Sequence, residues 1–313
     1  MTMPKTQSAR TFVPGHCTAF FEIKDGSEDP LRIGSRGAGI CLSLGAVTEV
    51  SIARSEEQHL DVYVDGVQRG RNAEVTWSAM EGLLTDARKR CWLMAQDTLN
   101  IRVETVQQLP ERSGWGMSGA GALSSVLALR DVLNLPYSFY QVAAFAHKAE
   151  VENATGLGDA AAQCVGGVEI RKIPGIPPHG FIDRLPTPPL NVVCLSLPQP
   201  LSTKSILNDP KKRTLINEAG RTAVDGISSL PSMDILFDYA RKFSVSSGLA
   251  SPELIEIMDA VQDYGRVSMA MLGNSIFGIG NSPEDQKEMI RILSEFGQVD
   301  ECAVDFTGAR ILP

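Results

Sequence analysis

The run Pro110-Glu111-Arg112-Ser113-Gly114-Trp115-Gly116-Met117-Ser118-Gly119-Ala120-Gly121 leaves the backbone bare just where an apolar helix, predicted over 120–133, begins. N–H groups in the first turn of a helix have no intrahelical partner, and the aligned peptide dipoles put partial positive charge there, so the loop suits a phosphate. No Lys-Ser or Lys-Thr closes it, which rules out a Walker A loop. Gly114, Gly116 and Gly119 fit the G-x-G-x-x-G of a dinucleotide site, although the acid that follows, Asp131, is 12 residues past Gly119 rather than about 20. A turn that only lets the helix pack closely would explain the same glycines. In a third reading, a kinase loop, backbone N–H groups wrap the phosphates and Ser118 reaches Mg²⁺. That reading requires carboxylates elsewhere.

Two acids answer it. On a helix predicted over 138–153, Phe139, Ala143, Ala146 and Glu150 follow i, i+4, i+7, i+11, so Glu150 continues an apolar stripe. An acid there is costly unless paired or metal-bound, which favours a Mg²⁺ ligand over a helix-end acid bent out to water. Glu152 shares a face with Gln141, Phe145 and Lys148 and reads as more exposed. Asp159 lies between Gly156-Leu157-Gly158 and Ala160-Ala161-Ala162-Gln163, nine residues beyond Glu150. It is either the cap of a short helix or the group that orients an acceptor hydroxyl and takes its proton.

The elements that must position these residues form an α+β mixture. Strands are predicted at 9–13, 39–54, 60–67, 98–106, 167–172, 191–197, 266–280 and 301–311. Helices are predicted at 75–90, 120–133, 138–153, 211–230 with a break allowed, 232–242, 252–264 and 283–296, several opened by Ser or Pro in capping positions. Eight prolines between Ile173 and Pro200 preclude a long helix and mark the handover between two domains, 1–187 and 188–313.

Composition narrows the function. The chain has 313 residues, 43% apolar and 21% charged, with net charge −8 and scattered basic residues, so neither nucleic acid nor an anionic membrane is an expected partner. Six cysteines without a C-x-x-C pair argue against zinc and against a disulfide scaffold, and are expected as reduced thiols. The N-terminus lacks the apolar core of a secretion signal, so a soluble, cytoplasmic protein is expected.

Across nearly the whole chain the motifs together resemble the GHMP kinase superfamily, and within it the archaeal pantoate kinases. They are Pro14-Gly15-His16-Cys17-Thr18-Ala19-Phe20-Phe21-Glu22-Ile23, Gly34-Ser35-Arg36-Gly37-Ala38-Gly39, the loop from Gly114 to Gly121, Ala149-Glu150-Val151-Glu152 with Thr155-Gly156-Leu157-Gly158-Asp159, and Met271-Leu272-Gly273-Asn274-Ser275-Ile276-Phe277. The resemblance implies a GHMP kinase fold, with an N-terminal domain like domain 2 of ribosomal protein S5, a ferredoxin-like C-terminal domain, and ATP between them. It implies phosphate contacts from Gly114, Gly116, Met117, Ser118, Gly119, Ala120 and Gly121, Mg²⁺ on Ser118 and Glu150, and Asp159 as catalytic base. Two features depart from the superfamily pattern. His16 stands where many members have Lys, making any positive charge there dependent on pH. The third motif has Leu272-Gly273-Asn274-Ser275 in place of a glycine run, and Gly-Asn is also an ordinary hairpin turn.

The implied reaction moves the ATP γ-phosphoryl group to the primary hydroxyl of pantoate, giving 4-phosphopantoate for coenzyme A synthesis. Pantoate carries a carboxylate, so a fixed cation is expected near Asp159. Arg171 is the candidate, from a strand on which Glu169 and Arg171 share one face, with His16 and Ser35 as further substrate contacts and Lys204 as a second possible cation. The alternatives are another GHMP activity of homoserine or mevalonate type, a catalytically silent nucleotide sensor, or a dinucleotide-dependent reductase. The sequence does not fix the assembly, and a homodimer is one option.

Overall fold

The computed structural model describes residues 7–94, 96–198 and 206–313. Lys204 lies outside them. Two long strands, β1 (Gln7–Lys24) and β2 (Gly34–Arg54), pair antiparallel and carry the first sheet. The strand predicted at 9–13 stops before Pro14, yet β1 runs on for ten residues past that proline, to Lys24. Proline lacks a donor, and the register shifts between Pro14 and Gly15, so the missing bond falls at an irregularity.

After β3 (His59–Val64) and β4 (Val67–Gln68), α1 (Glu74–Lys89) leads to β5 (Leu99–Gln107), which pairs parallel to β3 and antiparallel to β2. Helices α2 (Met117–Val132), α3 (Phe139–Glu152) and the short α4 (Asp159–Val165) follow. Ser138 and Gln141 form a capping box at the start of α3. The hairpin β6 (Val168–Ile173) and β7 (Phe181–Leu185) joins through β6 to β2. No strand was predicted in the stretch that holds β7, because its prolines mask a five-residue run without any.

The second sheet is antiparallel, in the order β11-β8-β10-β9, formed by β8 (Asn191–Ser196), β9 (Gly265–Met269), β10 (Ser275–Gly280) and β11 (Gln298–Ala303). That order, with helices between β8 and β9 and between β10 and β11, is the ferredoxin-like arrangement. The segment predicted as one strand at 266–280 is the β9–β10 hairpin, and 301–311 divides into β11 and β12 (Arg310–Leu312). β12 returns to the first sheet and pairs with β1.

The intervening helices are α5 (Pro210–Ser229), α6 (Met233–Ser246), α7 (Pro252–Val261) and α8 (Pro283–Leu293), capped by Asp209, Ser232, Ser251 and Ser282. α5 is unbroken. Gly220 is where it rests on β1, because a Cβ there would collide with the Phe21 carbonyl. No helix among the described residues is long and apolar enough to cross a membrane.

Candidate active site

Gly114 (φ 80°) and Gly116 (φ 63°) are both left-handed, a conformation that glycine adopts without strain. Gly116 is the N-cap of α2, and the first helical N–H to bond back is that of Ala120, to the Gly116 carbonyl. The amides before it are left free for a ligand. Both sheets hold this loop in place. The His16 N–H donates to the Trp115 carbonyl (2.9 Å), the Trp115 indole N–H to Ser196 Oγ on β8 (2.8 Å), and Ser275 Oγ to the Ser113 carbonyl (2.5 Å). The Leu272-Gly273 turn of the β9–β10 hairpin lies against the loop, with no room for a Cβ at Gly273 beside the Ser113 carbonyl. The third motif is thus a hairpin turn packed directly against the glycine loop.

A cavity of about 510 Å³ is lined by Gly114 to Gly119, Gly121, Glu150, Thr155 to Asp159, Thr18, Phe21 and Ser35, and by Val64, Arg69, residues 72–76 and Leu272. Its size suits a small-molecule site. Ser118, the second residue of α2, is exposed to it. Ala120 does not line it; the helix turns that residue into the core and uses its N–H internally, so it offers no donor to a phosphate.

Glu150 is buried together with Ala143 and Ala146, as their shared face on α3 predicts, although Phe139, which opens that stripe, is exposed. Its Oε2 accepts the Ala160 N–H at 3.1 Å, and its Oε1 faces the glycines, since a Cβ on Gly119 or Gly156 would fall 2.5 Å from it. Burial, and then the charge of Asp159, push its pKa up to about 8, against the opposing pull of the Ala160 N–H and of His16. Glu152 is exposed and pairs with Lys148 at 3.6 Å. Asp159 opens α4 with its side chain 25% exposed, and its Oδ1 lies 2.7 Å from His16 Nδ1.

His16 is fully buried and does not line the cavity, but its Nδ1 touches two residues that do, Asp159 and, at 3.5 Å, the hydroxyl of Thr18. Its Nε2 is 3.0 Å from Glu169 Oε1. Burial works against its charge, but the hydrogen bonds to Asp159 and Glu169 outweigh it and raise the pKa above the ordinary 6.5. Arg171 also lies behind the wall. Its guanidinium donates to Glu169 Oε1, Nη1 is 3.4 Å from His16 Nε2, and Nε has no partner. A Cβ on Gly158 would fall 2.9 Å from both that Nε and Ser35 Oγ, so the 155–158 segment covers Arg171 while Ser35 meets the cavity.

The structure therefore joins Asp159, His16, Glu169 and Arg171 into one chain of polar contacts, buried except at Asp159. Glu169 was read from the sequence only as a neighbour of Arg171 on a polar strand face, and that face proves to be as buried as the apolar one. Arg171 is the neighbour of Glu169 on the strand face, but His16 is 153 residues away, so no local pattern marks that contact. Asp131, the acid of the dinucleotide reading, lies at the far end of α2 beside Arg130 (3.7 Å), away from the cavity.

Residues 81–167 match the family described as GHMP kinases N terminal domain, and residues 228–299 the one described as GHMP kinases C terminal. The chain is 33% identical to a pantoate kinase of Thermococcus kodakarensis, over 89% of each chain. It is 31% identical to a pantoate kinase of Methanospirillum hungatei, over 96% of this chain and 95% of that one. A solved structure described as a phosphotransferase related to the CoA biosynthesis pathway superposes with a TM-score of 0.86 at 29% identity, over 97% of this chain and 98% of the other. Homoserine kinase from Cytophaga hutchinsonii, at 16% identity and a TM-score of 0.71 over 98% of each chain, shares the fold. With both halves of the family present in order and relatives matching over most of its length, the chain belongs to the GHMP kinases.

Proposed function

We propose that the protein transfers the γ-phosphoryl group of ATP to the primary hydroxyl of pantoate, giving 4-phosphopantoate for coenzyme A synthesis. The observation that carries this reading is the convergence of Ser118, Glu150 and Asp159 on one cavity, in a chain whose relatives over nine-tenths of its length are pantoate kinases. A silent sensor would have no use for all three.

The free amides of Gly116 to Gly119 bind the polyphosphate, and the left-handed glycines let the loop close around it. Among the described residues no group of three His, Cys, Asp or Glu is arranged to hold a metal unaided. That suits Mg²⁺, which takes one or two protein ligands beside nucleotide phosphates. The buried Glu150, which forms no ion pair among the described residues, fits as the carboxylate ligand, with the Ser118 hydroxyl lining the same cavity. Bound there, Mg²⁺ would neutralise phosphate charge.

Asp159 orients the acceptor hydroxyl and takes its proton at Oδ2, while His16 holds Oδ1. Ser35, with Arg171 behind it, receives the pantoate carboxylate. The unpartnered Nε of Arg171, close to Gly158 and on the Ser35 side, is the donor available to support that carboxylate. Positioning and charge stabilisation account for most of the acceleration in such a transfer.

The test is pantoate-dependent release of ADP, with and without Mg²⁺, beside a panel of homoserine and mevalonate, with the product identified. Release with homoserine or mevalonate but not pantoate would assign the neighbouring activity, and no release with any of them would end the kinase reading of this site.

A further inference from the structure

Gln163 has no part in the roles above, and it is fully buried. It stands one turn after Asp159 on α4, so the two share a helix face. Its Nε2 donates to the Gly116 carbonyl at 2.8 Å, the same oxygen that accepts the Ala120 N–H at 3.0 Å. Gly116 offers only an acceptor at that point, which fixes which end of the amide faces it. The other end, Oε1, has no partner, and a Cβ on Gly119 would fall 3.3 Å from it and 2.5 Å from Glu150 Oε1. A buried amide with an unmet acceptor is a poor filler, since an apolar side chain of the same shape would cost less.

The carbonyl and the N–H of a trans peptide point in opposite directions. Gln163 and Ala120 together draw the Gly116 carbonyl inward, so the N–H of the same peptide unit, that of Met117, is turned the other way, on a stretch of backbone that lines the cavity. The helix that carries Gln163 also carries Asp159. One side chain therefore ties the phosphate loop to the base.

We propose that Gln163 is a positioning residue for phosphoryl transfer: through Gly116 it aims the Met117 N–H at a nucleotide phosphate and sets the separation between that phosphate and Asp159. This rests on the roles assigned above to the glycine loop and Asp159. Sequence spacing holds a clue, since Gln163 follows Asp159 at i+4, but its acceptor is 47 residues away in the chain.

The experiment compares Gln163→Met, which keeps the length and removes the donor, and Gln163→Glu, which keeps the length and an acceptor, with Ser118→Ala and Asp159→Asn. Affinity for a non-hydrolysable ATP analogue is measured by calorimetry without acceptor, and turnover by ADP release. The Met variant should melt at the wild-type temperature, bind the analogue more weakly and turn over roughly tenfold or more slowly, with the half-saturating pantoate concentration unchanged. A purely structural amide would instead lower the melting temperature. If the Met variant does not fold, the Glu variant decides by the same measurements. Wild-type affinity and turnover in a folded variant overturn the proposal, as does failure of both to fold, which would mark Gln163 as a residue the fold requires. If Ser118→Ala and Asp159→Asn also behave as wild type, the site assignment itself has failed, and the two failures are thereby distinguished.

Discussion

At the glycine loop, the atoms available to a ligand are main-chain N–H groups and one hydroxyl, and two left-handed glycines shape them. At the start of α4 a ligand meets one charged side chain, Asp159, with His16, Glu169 and Arg171 buried in a chain behind it. Backbone donors recognise a phosphate whatever molecule carries it, so the first region suits the part of the reaction that every family member shares. Side-chain charges tell one acceptor from another, and holding them without water requires each to be paired. The contrast predicts that damage to the loop shows in nucleotide dependence, and damage to the chain in chemistry, acceptor use and stability.

The largest effect is expected at Asp159. Asp159→Asn should fold and bind nucleotide but lose turnover by ~10²-fold or more. Near-normal turnover would remove it as the base.

Arg171 follows. Arg171→Ala leaves Glu169 buried with one cationic partner fewer, and should cost ~3 kcal/mol or more in denaturant unfolding. Arg171→Lys keeps the charge with a smaller loss of stability, and should raise the half-saturating pantoate concentration while ATP dependence stays put. Unchanged pantoate dependence in the Lys variant would detach Arg171 from the acceptor.

Gly273→Ala tests the other region. A Cβ there meets the Ser113 carbonyl and falls 2.5 Å from Gly114 N, so the hairpin turn must shift and displace the loop. The expected outcome is a roughly tenfold fall in kcat/KM for ATP, with pantoate dependence spared. A change confined to pantoate would contradict the division of roles.

A smaller effect concerns pH. The metal-free fold raises the pKa of Glu150 from 4.5 to about 8, so its contribution to stability is full below about pH 4.5 and is lost as the pH rises through about 8. The melting temperature of the metal-free protein should decline over that window, with Mg²⁺ and nucleotide restoring it and Glu150→Gln flattening the decline. An identical slope in the Gln variant would place the titration elsewhere. Glu152→Gln should change none of these readouts, because Glu152 is exposed and pairs with Lys148 on its own helix.

Much of the fold was legible in local pattern. The acid on the apolar stripe of α3, the Ser and Pro starts of α5 to α8 and the bare loop before α2 are each written within one or two turns of chain. The length of β1 beyond Pro14 and the strand β7 in the proline-rich stretch were not legible, because a prolyl residue reports only its own missing donor and not the bulge or neighbouring strand that accommodates it.

What the sequence determined by itself was that bare backbone would meet a helix start, and that acids at 150 and 159 would stand near it. Those choices follow from helix periodicity and backbone freedom, which act over a few residues. Only the tertiary structure decided that Glu169 would join His16 to Arg171, that Gln163 would grip Gly116, and that a hairpin from the second sheet would brace the loop of the first. Hydrogen bonds and burial act across space without regard to separation along the chain, so those partners become visible only once the sheets are assembled.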